Sequence, residues 1–375
     1  MPKPKRITNT LALYIHIPFC QHICPYCGFY KVKNQPDLEN SLITALKKEM
    51  KFYCLKFQLP PIHSIFIGGG TPSLLSQKAL AQLFKAMNTL FSFTPNCEIT
   101  IELNPENVSN QQLTHYKKLG INRLSIGIQS FNTQDLKFLG RHHSVETNIN
   151  ALTTITQHDN WNYNIDLITG LPNLNLTQLA YSLDQTILFN PTHISTYTLS
   201  IEPQTLFEKQ QILPLDQSIE VTHYDYIANK LKAQNYIHYE ISAFAKKNHE
   251  SCHNYTYWRY LPFIGLGPSA NSFFDQRRYS NISSVTEYIK KPTPELPNPI
   301  DIKVQIQEFL IANLRLQSGF KLSTFYQRFK LDFTVYFSTQ LTQLINSELI
   351  IINNDTCKTT TKGRLLLNEV LLILI

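Results

Sequence analysis

The chain has 375 residues, 43% of them apolar and 16% charged, with a net charge of +7. That is enough apolar material for one large domain and a small one, and its basic residues stand in short pairs such as Lys47-Lys48, Lys246-Lys247 and Arg277-Arg278, which read as solvated faces and do not indicate nucleic-acid binding. No stretch approaches the roughly 20 apolar residues of a membrane-spanning helix, the basic start Met1 to Thr10 lacks the long apolar run of a signal peptide, and seven cysteines, three of them clustered, fit reduced thiols in a cytoplasm better than a secreted disulfide framework.

In chain order, β-rich runs alternate with helical patterns. Strands are expected at Leu11 to Ile17, Ile62 to Ile67, Glu98 to Leu103, Arg123 to Ile128, Tyr163 to Thr169 and His193 to Ser200. Helices are expected at Asp37 to Phe57, Gln77 to Phe91, Gln111 to Leu119, Val145 to Gln157, Leu176 to Leu188 and Ser218 to Ala233. Alternating βα units predict an α/β fold with a parallel sheet. Six of them suit a partial (β/α)6-type barrel over residues 1–245, although a doubly wound sheet has the same pattern. Tyr236 to Phe244 is a further strand candidate. Residues 246–299 read as a motif-bearing connection ending in the proline-dense linker Lys290 to Pro299, and 300–375 as a small, mainly helical carboxy-terminal domain with a short β pair around Leu349 to Thr356.

The chemistry concentrates after the first strand, in His16-Ile-Pro-Phe-Cys-Gln-His-Ile-Cys-Pro-Tyr-Cys-Gly-Phe29. Three thiolates on Cys20, Cys24 and Cys27 would leave one iron of a cubane cluster without a protein ligand. By spacing alone a zinc site completed by His16 or His22 fits equally well. Gly68-Gly-Gly-Thr-Pro-Ser73 follows the second strand; its glycines permit close backbone approach to a ligand, and it lacks a P-loop lysine. Glu102 closes the third strand, Gln129 follows the fourth and Asp166 lies on the fifth. Polar groups recurring near strand ends describe an active-site rim, where any single one could be a core hydrogen bonder. Arg141, in Leu139-Gly-Arg-His-His-Ser144, suits a ligand carboxylate or a helix cap, while His142 and His143 read as surface or packing residues.

Taken together, these motifs resemble radical S-adenosylmethionine (SAM) proteins, and most closely the coproporphyrinogen-dehydrogenase-like branch. They are Tyr14-Ile-His-Ile-Pro-Phe-Cys, Gly-Gly-Gly-Thr-Pro-Ser, Glu-Leu-Asn-Pro, Ile126-Gly-Ile-Gln-Ser130, Leu-Gly-Arg-x-His and Asp-Leu-Ile-x-Gly-Leu-Pro172. Gln234 to Ser242, His253-Asn-Tyr-Thr-Tyr-Trp258 and Gly265 to Ala270 extend the likeness over most of the chain. The resemblance implies a [4Fe-4S] cluster on Cys20, Cys24 and Cys27, with SAM at the open iron. It also implies that Tyr14, Gly69, Gly70, Thr71 and Glu102 hold that SAM with Tyr26 beside it, and that Gln129, Arg141 and Asp166 match contacts to a second SAM. Within the branch, the dehydrogenases carry a fourth cysteine two residues after the third ligand. Heme chaperones of the HemW type carry an aromatic there, as Phe29 is here, and share the His-Asn-x-x-Tyr-Trp motif. The resemblance therefore implies a cytoplasmic protein that binds heme and delivers it to an acceptor, such as a membrane-associated respiratory enzyme. The alternative is an oxygen-independent coproporphyrinogen III dehydrogenase acting by radical oxidative decarboxylation. His253, Asn254, Tyr257 and Trp258 are heme candidates, an imidazole flanked by rings being suited to iron and porphyrin; the bland reading is that His253 caps a turn and Trp258 fills a gap. Leu174 and Ala243 depart from the family, which has glutamine and asparagine there.

Overall fold

Runs of β-branched and apolar residues set the central layer, and the helices between them begin at well-made caps. The computed structural model describes residues 10–158 and 160–375. Six parallel strands lie in chain order: β1 (Leu11–Ile17), β2 (Ile62–Gly69), β3 (Phe93–Leu103), β4 (Arg123–Gln129), β5 (Asn162–Thr169) and β6 (His193–Thr198). Between them run α1 (Pro36–Lys56), α2 (Gln77–Leu90), α3 (Asn110–Leu119), α4 (Val145–Thr156) and α5 (Leu176–Leu188), and α6 (Gln217–Ala233) follows β6. Pro36 opens α1, Ser76 and Ser109 accept from the third backbone N–H of α2 and α3, and Ser144 and Asn175 form capping boxes on α4 and α5. Leu11, Leu13, Ile15, Ile65, Ile67 and Ile101 are fully buried between sheet and helices. Such continuous apolar runs are what a parallel sheet covered by helices requires.

Among the described residues the sheet has eleven strands. At one edge β8 (Ala243–Ala245) pairs antiparallel to β6, and β7 (Ile237–Glu240) pairs antiparallel to β8 on the outside, so the candidate strand at 236–244 is a tight hairpin. At the other edge the segment expected to be a connection supplies sheet. β9 (Phe263–Leu266) pairs parallel to β1, and β10 (Asn271–Phe274) and β11 (Arg277–Ser280) continue antiparallel outward. The short helix α7 (Cys252–Trp258) precedes β9 and packs under the starts of β2 and β3.

Residues 300–375 form a helical lobe carrying a three-stranded sheet that includes the pair Ile350–Asn353 and Thr356–Thr359. Its core is phenylalanine-rich, with Phe309, Phe320, Phe325, Phe333 and Phe337 in mutual contact. Tyr260, Phe263 and Phe273 from the sheet edge join this cluster, so the lobe is packed onto β9 and β10. Two short helices, Thr361–Leu365 and Leu367–Leu374, follow the three-stranded sheet. No helix among the described residues is long and apolar enough to cross a membrane.

Candidate functional site

The cysteine loop is tied at its base. Phe19 and Cys20 pair with Val32 and Lys33 in a two-residue parallel ladder, Asn34 N–H donates to Cys20 O at 2.8 Å, and Cys27 N–H donates to Cys24 O at 3.3 Å. Lys31 Nζ closes onto Cys27 O. All three cysteines are free thiols. Burial pushes the Cys20 thiol up to about 11 against a hydrogen bond from Thr71, and raises that of Cys27 against the nearby Lys31 ammonium. Two donors already point at sulfur, Thr71 Oγ1 at 3.7 Å from Cys20 Sγ and Arg141 Nη1 at 3.6 Å from Cys24 Sγ. Among the described residues no three His, Cys, Asp or Glu side chains group closely enough to hold a single metal ion. A cubane, whose three ligands sit on three separate irons, spreads its thiolates more widely than one zinc ion does, so the soft donor set and the sulfur-directed donors fit a cluster.

Below this loop, side chains from consecutive strands converge on one cavity of about 610 Å³, as they do when a sheet curls into a partial barrel. Tyr26, Cys27, Gly69, Gly70, Thr71, Glu102, Gln129, Arg141 and Asp166 all line it, and Tyr14 does not. Gly69 has φ +119°, and a Cβ there would stand 2.8 Å from the His16 ring; one on Gly70 would stand 2.6 Å from Phe19 O. Both positions therefore demand glycine. Gly69 N–H donates to Glu102 Oε2 at 3.1 Å. Burial, then the Asp166 carboxylate, push the Glu102 carboxyl up to about 8, against that hydrogen bond. Tyr14 stands behind Glu102, its hydroxyl 2.9 Å from His16 Nδ1 and its ring on Phe66. Burial also raises the Tyr26 phenol, against the attraction of Arg141.

Arg141 is a clamp. Its Nη2 donates to Asn104 Oδ1 at 2.7 Å and to Gly127 O at 3.2 Å while Nη1 reaches Cys24, so it links the third and fourth strands to the cysteine loop. Gln129 takes φ +67° at a register shift in β4. Asp166 accepts from Ser125 Oγ at 3.0 Å and Asn164 Nδ2 at 2.8 Å, and burial raises its carboxyl against these bonds. Asn104, Ser125 and Asn164 join these side chains in lining the cavity. Strand alternation was their signal, since each shares a face with Glu102, Gln129 or Asp166. Phe29 lines the cavity and is 71% exposed.

The heme candidates do not form one open face. His253 is 1% exposed. Its Nδ1 lies 3.0 Å from Ser64 Oγ, its Nε2 lies 2.9 Å from the Tyr257 hydroxyl, and burial brings it down to about 3. Both ring nitrogens are engaged, so coordination of iron by His253 would require one of these two bonds to break. The helix start is held by Glu98, which accepts from Cys252 N–H at 3.2 Å and His253 N–H at 3.1 Å. Trp258 lies under Arg315, 4.6 Å from the guanidinium to the ring centroid, and of the four only Asn254 lines the cavity. Leu174 and Ala243 are buried apolar residues.

The curled sheet and the three-cysteine loop above its cavity define a radical SAM protein, and residues 14–185 match the radical SAM superfamily, which implies a [4Fe-4S] cluster and SAM. Residues 300–366 match the HemN C-terminal domain. The solved structure of coproporphyrinogen III oxidase (HemN) from Escherichia coli, a radical SAM enzyme, has a TM-score of 0.84 with 24% identity, covering 99% of this chain and 91% of that one, a likeness of fold. The chain belongs to the heme chaperone HemW family. It is 32% identical to the heme chaperone HemW of Bacillus subtilis over 96% of this chain and 97% of that protein. It is 33% identical to that of Haemophilus influenzae over 96% and 97%, and 37% identical to that of Escherichia coli over 70% and 69%.

Proposed function

We propose that this protein binds heme and passes it to an acceptor, a membrane-associated respiratory enzyme being the partner class, from a cytoplasmic location. The observation that carries the reading is likeness along nearly the whole chain to proteins named heme chaperone HemW. Phe29 supports it. The position that carries a further thiol in the dehydrogenases here holds an exposed hydrocarbon ring, which can neither donate a hydrogen nor ligate metal.

Cys20, Cys24 and Cys27 would hold the cluster, which when bound supplies an electron and an open iron for the amino and carboxylate groups of SAM. The rest falls to this chain's own side chains. Thr71 and Arg141 donate toward sulfur and so stabilise thiolate over thiol. Gly69 and Gly70 let a ligand approach backbone, and Glu102, kept neutral by burial, ionises as a ligand ammonium arrives beside it. Tyr14 holds the wall behind Glu102; Tyr26, Gln129, Arg141 and Asp166 shape the side away from the glycines. A titration of the cluster-reconstituted protein with heme tests the reading. One heme per chain with a shifted Soret band is expected, and a band indistinguishable from free heme in buffer contradicts it.

A further inference from the structure

Arg123 opens β4 with its side chain turned into the cavity, 2% exposed. Among the described residues its guanidinium has no ion pair and no hydrogen bond, and Nε is buried without a partner. Asp166, which feels its charge, has both oxygens on Ser125 and Asn164. Glu98 is engaged at the start of α7, and no ion pair joins Arg123 to Glu240, whose own buried Oε2 has no partner among the described residues. A guanidinium in this position carries an uncompensated desolvation cost that a structural arginine ordinarily avoids by pairing. Its register neighbour Thr100 also has a buried hydroxyl without a partner, so two unpartnered polar groups meet at one level of the barrel. That level is the deep end. Arg123, Ser125, Gly127 and Gln129 line the cavity along β4, and the register shift before Gln129 leaves Arg123 about 16 Å below it, five residue rises on β5; Asn254 on α7 also lines the cavity.

We propose that Arg123 floors a second subsite, which seats a carboxylate of a ligand reaching down the cavity from the cysteine end. Resting on the heme reading above, the group is a propionate arm of the porphyrin; a free small carboxylate has the same chemistry. Planar, permanently charged guanidinium recognises a carboxylate through two parallel N–H donors. The positive charge is felt locally, since after burial it contributes to holding His193 and His253 unprotonated.

The test uses cluster-reconstituted protein with heme, heme dimethyl ester and succinate as probes, on wild type, Arg123→Met and Arg123→Lys. Wild type is expected to bind heme at least about 10-fold more tightly than the ester. Arg123→Met brings that ratio near one with ester affinity retained, and Arg123→Lys recovers part of it. If neither porphyrin binds but succinate raises the unfolding midpoint of wild type and not of Arg123→Met, the subsite stands with a small carboxylate as its source and the heme reading falls. An acid-to-ester ratio unchanged in Arg123→Met, with no Arg123-dependent succinate response, overturns the subsite and leaves the heme reading standing. Without ligand, Arg123→Met should unfold at or above the wild-type midpoint; unfolding many degrees lower makes the side chain a strut and overturns the proposal.

Discussion

Replacing His253 by alanine separates a strut from a heme ligand. The substitution strands Ser64 Oγ and the Tyr257 hydroxyl, each of which loses its imidazole partner, and removes a ring whose centroid lies 5.3 Å from that of Phe66. Stranding a buried donor or acceptor costs about 1–3 kcal/mol, and the vacated volume adds to it, for a total of about 3–5 kcal/mol. Asparagine places a polar atom near the former Nδ1 and should keep the Ser64 bond while losing that to Tyr257, so His253→Asn is expected to recover about half of the loss. Urea denaturation reads the stability, and a Soret titration of each variant reads the heme. The structure predicts the graded loss of stability with an unchanged heme spectrum in whatever fraction folds. A His253→Ala protein as stable as wild type that has lost its Soret shift would refute the reasoning and restore the imidazole as a ligand.

Burial brings His16 and His238 down to about 4 and His253 to about 3, so the folded protein binds fewer protons than the unfolded chain. Their contribution, about 3 kcal/mol for each of the first two, is fully present above pH 6.5 and is lost as pH falls through 4, which urea midpoints between pH 7 and pH 4 should show. Glu49 runs the other way. Buried under donors from Gly267 N–H, Asn281 Nδ2 and the Tyr288 hydroxyl, it is pushed up to about 8, so it destabilises the fold progressively as pH rises from 4.5 through 8; Glu49→Gln should cost stability at pH 5 and flatten the slope between pH 5 and pH 9. Gly70→Ala drives a methyl group to 2.6 Å from Phe19 O and 2.8 Å from Pro18 O, backbone atoms beside Cys20. It should cost about 1–3 kcal/mol and lower the iron and sulfide retained on reconstitution, measured by metal analysis.

The six parallel strands and their helices were legible because each carries a strong period bounded by caps and glycines. The cavity wall was legible at Glu102, Gln129 and Asp166, where a polar residue interrupts an apolar strand. Less could be read from 246–299. Phe263–Leu266 is four residues long and finds its partner in Leu11–Ile17, some 250 positions away, a pairing that no local pattern encodes. His253 is hard to read for a related reason. An imidazole between aromatic residues suits a porphyrin and a buried hydrogen-bonding post equally, and only the placement of Ser64 and Glu98 beneath the helix separates them. Arg123 was hidden by its setting at the start of a strand, where a basic residue ordinarily reaches solvent.

A heme carrier and the enzyme that shares its fold part company on one reaction. The direct measurement supplies one anaerobically reconstituted sample with SAM and an electron source, gives it coproporphyrinogen III, and follows porphyrin products and methionine beside a heme titration of the same sample. Heme held at one per chain and no protoporphyrinogen formed is the expected result. Conversion to protoporphyrinogen with methionine release, and no retained heme, would contradict the carrier reading.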